Sequence, residues 1–187
     1  MSSYHFFVAS LPMLLPDAAP PMTLDGFLEL ARVYLSAADW QTLTALEAGR
    51  PSQHSFVKGW RRAETQLRNA IARQRASRLG QDAAPWLKEH EGYDVTLERS
   101  VAAAFQESNP LRREKALDAI RWRQADELAG LDSFATPAIL AYFIQLQILA
   151  RAAERDVAQG RARRQSIVDP TPGQKDTPAP ATAVAES

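Results

Sequence analysis

Three features of the sequence predict an all-α fold. Apolar residues recur at three- and four-residue spacing along most of the chain, and helix caps and stops punctuate those runs. The third feature is that one stretch alone, Tyr4 to Leu11, has the aromatic and β-branched character of a strand. A lone strand is not stable by itself, so that stretch is expected as an irregular or helical piece packed on a bundle. The expectation is one helical domain over residues 1–165, a bundle of about six helices by hydrophobic periodicity, with a disordered C-terminal tail over 166–187.

Each element follows from local signals. Thr23 is placed to cap a helix bearing Leu24, Phe27, Leu28, Ala31 and Leu35 at helical spacing. Ser36-Ala-Ala-Asp39 resembles a capping box with Asp in place of the preferred Glu; Trp40, Leu43 and Leu46 follow, and Gly49 and Pro51 end the run. A longer helix is predicted from Ser55 to Leu79, with Phe56, Trp60, Ala63, Leu67, Ala70, Ile71 and Gln74 on one face. Gly80, Pro85 and Gly92 mark the loop after it. Asp94 then caps a helix carrying Leu97, Val101, Ala104 and Phe105. Asn109-Pro110 opens the next, since Asn suits the cap and Pro the first helical position. Thr136-Pro137 repeats that device. From Pro170 onward there are four prolines, no aromatic residue and little to bury, the composition of a disordered segment.

The helix opened by Thr136 is the most apolar part of the chain. Between Pro137 and Ala150 only Gln145 and Gln147 are clearly polar. A bilayer core needs about 20 consecutive apolar residues, whereas runs of roughly 10 to 14 belong more often to buried core helices. Its large side chains point in every direction, as in the central helix of a bundle. Core packing is therefore expected.

Composition removes several functional classes. Lys plus Arg and Asp plus Glu each number 22, which leaves no global attraction to nucleic acid or anionic lipid. There is no cysteine, hence no disulfide, thiolate metal site or cysteine nucleophile, which fits a reducing compartment. The N-terminus, MSSYHFFVASLPMLLP, lacks a Lys or Arg ahead of its apolar run, so a secretory signal is not expected. His5, His54 and His90 are far apart and have no metal-ligand spacing. Glu89, His90 and Glu91 are adjacent in a loop and read more simply as solvated polar residues than as metal ligands or catalytic carboxylates. No phosphate-cradling glycine motif or nucleophile elbow occurs. The chain is expected to be a non-enzyme without cofactor or metal.

Charge is instead segregated locally. Between Lys58 and Arg78 there are seven basic residues and a single acid, Glu64. At about 100° per residue, Lys58, Arg61, Arg62, Arg68, Arg73 and Arg75 fall opposite the apolar face. Arg78 lies on the apolar side, near the C-terminal end where a cation suits the helix dipole. These six residues are the candidate partner-binding site. A basic strip meets an acidic protein, an anionic membrane surface or nucleic acid, or is offset by acids elsewhere in the fold. No aromatic residue interleaves the arginines on that face, which argues against single-stranded nucleic acid.

Segments in a fixed order carry a family resemblance. YHFFVASLPML followed by FLELARVYLSAADWQTL resembles the opening of a family of short bacterial proteins whose genes commonly sit in V-type (A/V-type) ATPase operons. LRNAIARQRASRLG and NPLRREKALDAIRWRQADELAGLDSFATPAILAYFIQLQILAR resemble the same family. They are also similar to the C subunit of archaeal-type V-ATPases, whose eukaryotic counterpart is the d subunit: an Asn-Pro helix start, a Leu-Asp pair, a Trp, a Phe and an apolar terminal helix. The similarity covers residues 4–152. It implies an all-helical, non-catalytic accessory or stalk-docking subunit that links the central stalk to the membrane rotor ring. The implied partners are stalk and rotor subunits, with a cytoplasmic location peripheral to the inner membrane. The full-length socket protein has three helical lobes and is about twice as long, so interface residues do not transfer. A free-standing helical adaptor that binds RNA or another polyanion through helix 55–79 is the alternative.

Overall fold

The computed structural model describes residues 4–168, and the side chains of 4–155. Seven helices occur among them: α1 (His5–Ser10), α2 (Leu24–Tyr34), α3 (Ala37–Glu47), α4 (Ser55–Leu79), α5 (Val95–Ala104), α6 (Pro110–Ala129) and α7 (Thr136–Val168). A short 3-10 turn, Ala84–Trp86, lies in the loop after α4. There is no strand among the described residues, and Tyr4 to Leu11 is mostly helical. Contacts divide the chain into two compact units, Met1–Ala153 and Glu154–Ser187. The second is described only where α7 continues to Val168; the rest of the expected tail lies outside the described residues. Both apolar clusters and all six candidate cations belong to the first unit.

The expected caps form. Thr23, Ser36, Asp94 and Asn109 each accept a backbone N–H from the first turn of the following helix, satisfying donors that the helix itself leaves open. At α4 the cap is His54, whose Nδ1 accepts from the Phe56 N–H at 3.2 Å. Gly80 closes α4 at φ +64°, the left-handed conformation that glycine adopts without a Cβ penalty.

The first apolar cluster joins α1, α2, α3, the start of α4 and α7, with Phe7, Phe27, Leu43, Val57, Leu140 and Leu146 almost fully buried. The second lies where α4, α5 and α6 pack together, around Leu67, Leu97, Val101, Leu117 and Ile120. The segment Thr136–Arg155 is long and apolar enough to cross a membrane by length and composition. In this fold its large side chains are core: Ile139, Leu140, Phe143, Ile144, Leu146, Ile148 and Leu149 are all buried. Gln145 is buried with them and donates to Asp126 Oδ1 at 2.6 Å, so its amide is not left unpaired. Tyr142 donates to the Pro12 carbonyl at 2.8 Å, and burial pushes its phenol up to about 12, keeping it a neutral donor.

Thr136 departs from its expected role. Helix α7 begins at Thr136 itself, and the Thr136 hydroxyl donates to Asp39 Oδ1 at 2.9 Å. Asp39 Oδ2 also accepts from the Tyr4 hydroxyl at 2.5 Å and the Ser36 hydroxyl at 2.7 Å. Tyr4 in turn receives the Ser36 N–H at 3.1 Å, and its own N–H donates to the Phe134 carbonyl at 2.8 Å. One carboxylate thus ties the entry of α1, the cap of α3 and the start of α7.

Helices α4 and α6 approach closely at Gly59, where an added Cβ would sit 2.6 Å from Leu128 Cδ2. That methyl is the end of a flexible side chain, so Gly59→Ala should be near neutral: the shift of Leu128 offsets the roughly 1 kcal/mol by which Ala favours a helix interior. Gly59→Leu overfills the contact and should cost about 1–3 kcal/mol in urea denaturation. An equal stability for both variants would contradict this close packing.

Candidate partner interface on the basic helix

Helix α4 holds the candidate residues, and two buried amides decide which of its flanks remain open. Asn69 Nδ2 donates to the Lys88 carbonyl at 2.7 Å while its Oδ1 accepts the Lys88 N–H at 2.9 Å. Gln66 does the same for Asp94, donating to its carbonyl at 2.8 Å and accepting its N–H at 3.0 Å. Both amides are 3% exposed. They satisfy loop backbone groups that would otherwise be buried unpaired, and so fasten the segment 80–94 along α4. Asn69→Ala removes two of these bonds and should cost about 1–3 kcal/mol at roughly 0.5–1.5 kcal/mol each. Amide exchange at Lys88 should accelerate first; unchanged exchange there would contradict the clamp.

The six cations do not share one surface. Arg73 turns toward α5 and pairs with Glu98 at 2.8 Å. Arg62 lies beside Gly92 of the fastened loop. Arg68 pairs with Glu64 at 2.8 Å, and Arg75 reaches Glu114 of α6 at 3.9 Å. Lys58, Arg61 and Arg62 are exposed and have no ion pair among the described residues. Acids therefore offset half of the strip, Glu64 from within α4 and Glu98 and Glu114 from α5 and α6. Glu64 is the busiest of them: it also receives Arg121 Nε at 3.1 Å, and Arg121 reaches Asp118 at 3.3 Å. Arg78 does more than face the helix dipole, since its guanidinium lies 5.1 Å over the Phe105 ring and donates to the Phe105 carbonyl.

Two clefts open along the same edge of α4. One, of about 490 Å³, is lined by Arg50, Trp60, Arg61, Arg68, Trp86 and Lys88 among others. The other, of about 450 Å³, runs between α4 and α6 past Arg68, Arg75, Leu79, Trp86 and Glu114. The expectation that no aromatic residue stands among the arginines is corrected by these clefts. It rests on α4 alone, whereas the loop brings Trp86, 56% exposed, beside Arg68 in both. Arg50 and Lys88 fall outside the six candidates for the same reason: they come from flanking segments, and only the Asn69 clamp puts Lys88 there.

No metal constellation forms among the described residues. No group of three His, Asp or Glu side chains converges on a metal position, and Glu89, His90 and Glu91 do not assemble one. His5 packs on Phe134 with ring centroids 4.2 Å apart, and His54 is occupied as a cap.

No curated protein and no solved structure matches the chain. A family described as "Protein of unknown function (DUF2764)" matches residues 46–171, from the end of α3 through α7, and with two thirds of its length matched the chain belongs to that family.

Proposed function

We propose that the chain is a non-catalytic accessory or central-stalk-docking subunit of a V-type ATPase, linking the stalk to the membrane rotor ring. The support is the resemblance over residues 4–152 together with one structural observation. Helix α4 is anchored on one side in both apolar clusters, yet presents Lys58, Arg61 and Arg62 to solvent without acidic partners among the described residues. Cations so mounted suit a protein partner. The apolar α7 is taken up in the core, so the protein would sit at the cytoplasmic face through its partners. The test is affinity purification of the tagged protein from native membranes in mild detergent. The catalytic A and B subunits and the D subunit of the stalk are expected in stoichiometric amounts; their absence would overturn the proposal.

A second reading, an adaptor for RNA or another polyanion, draws on the placement of Trp86 beside Arg68, because base stacking needs an aromatic next to cations. It predicts affinity that falls linearly on a log–log plot against salt as counterions are released, and that is lost on Arg61→Glu combined with Arg68→Glu. Binding insensitive to salt would exclude it.

A further inference from the structure

We propose that the edge of α4 lined by Arg61, Arg68 and Arg75 is a docking groove for an amphipathic helix of a partner protein, one that carries acidic residues at seven-residue intervals beside an apolar stripe. This deepens the stalk-docking reading and names the kind of segment that would be held.

The spacing selects a helix. Arg61, Arg68 and Arg75 recur every seven residues. Seven residues are close to two turns, so the three lie in a row along one edge, about 10.5 Å apart. The same two turns of another α-helix laid alongside match that length, as in the charged flanks of a coiled coil. An extended peptide repeats on one face at about 6.6 Å and falls out of register with the row. Successive phosphates of a nucleic-acid strand would also meet Glu64 and Glu114, carboxylates that line the clefts between the arginines.

The clefts supply the rest. Arg68 and Trp86 line both, so the two are neighbours along one edge. Two turns of helix with side chains, roughly 10–12 Å across, occupy on the order of 1,000 Å³. Cavities of about 450 and 490 Å³ are too small for that. The docked helix therefore lies over the openings and sends side chains in. Its apolar stripe would cover Trp86 and Leu79, which are 56% and 70% exposed. Aromatic and arginine side chains beside a pocket are the composition that dominates binding at protein interfaces. The charge balance is uneven as well. Arg50, Arg61 and Lys88 have no ion pair among the described residues, while Glu64 is already shared by Arg68 and Arg121. Arg68 and Arg75 are more than half exposed, and surface pairs of that kind exchange readily for a better partner.

The test places the photo-cross-linker p-benzoylphenylalanine at position 86, and separately at position 79, in the full chain within native membranes. Both positions are exposed, so folding is not at stake. The cross-linked peptide is sequenced. Support requires a segment with acidic residues at i and i+7 and apolar residues between. Support also requires at least a tenfold loss of its yield on Arg61→Glu with Arg75→Glu, and less than a twofold change on Arg32→Glu with Arg99→Glu, exposed cations of α2 and α5 that line neither cleft. Unchanged circular dichroism in both double variants shows that the fold is intact. Cross-links to RNA or lipid, to a segment without that repeat, or to nothing at either position overturn the groove. Co-purification of ATPase subunits without such a cross-link leaves the stalk-docking reading standing and removes the groove. An acidic helix from a protein outside the ATPase does the reverse.

Discussion

Replacing Phe143 by alanine should lower the unfolding free energy by about 3–5 kcal/mol, the range for deleting a fully buried phenylalanine. Phe143 is 1% exposed at the middle of the apolar helix. Its ring packs on Phe27 at 5.7 Å, and Phe27 continues to Tyr142 at 5.4 Å and Phe7 at 6.1 Å. The deletion therefore opens a cavity where α1, α2 and α7 meet, and aromatic neighbours fixed by other contacts collapse poorly into it. Urea denaturation of the purified protein measures the effect, with the slope expected to stay constant. The result also decides what α7 is for. If its apolar surface served a membrane in place of the core, truncating Phe143 would leave the soluble fold nearly unchanged. A loss below about 1 kcal/mol would sink the core assignment.

Helix boundaries are legible in the sequence because each is set within a few residues. Asp94 and Asn109 stand just ahead of the N–H groups they cap, and Gly80 takes the one backbone conformation that ends α4 cleanly. The core role of α7 is legible from length and from apolar residues on every side. Thr136 reads as a plain cap, because its real acceptor, Asp39, is 97 residues away and no local rule reaches that far. His54 escapes notice as a cap for a related reason: histidine is outside the usual set of serine, threonine, aspartate and asparagine.

The candidate interface is half legible. Periodicity puts six cations opposite the apolar face of α4, and they are largely at the surface. What periodicity does not contain is the loop. Gln66 and Asn69 look like ordinary polar residues in a charged helix, yet they are buried and each holds one residue of segment 80–94 by two hydrogen bonds. That fastening runs the loop beside Arg62 and leaves the edge of Arg61, Arg68 and Arg75 open. It also delivers Trp86 and Lys88, which no reading of α4 by itself would include. Acidic partners on α5 and α6 are invisible as well, since pairing Arg73 with Glu98 or Arg75 with Glu114 depends on how three helices pack.

At Asp39 a single substitution should produce an acid-dependent loss of stability. Burial alone would raise this carboxyl. Hydrogen bonds from Tyr4, Ser36 and Thr136 outweigh it and hold the group below its ordinary value of 3.8. The folded state thus binds the proton less readily than the unfolded chain does. Its contribution is full above the unfolded value, near 3.9, and is lost as pH falls through the lower folded value. Asp39→Asn keeps the size of the side chain and removes the charge that strengthens all three bonds. Because the site is partly solvated and therefore screened, the loss at pH 7 should be about 2–3 kcal/mol, toward the low end for several hydrogen bonds to a charged group. At roughly 2–4 °C per kcal/mol for a chain of this size, melting should fall by about 4–12 °C. The gap between the two proteins should stay constant from pH 7 to about 5 and narrow below about 4, as the wild-type carboxylate takes up its proton. A gap that stays the same down to about pH 2.5, well below the ordinary carboxyl range, would mean that the negative charge does not hold α1, α3 and α7 together.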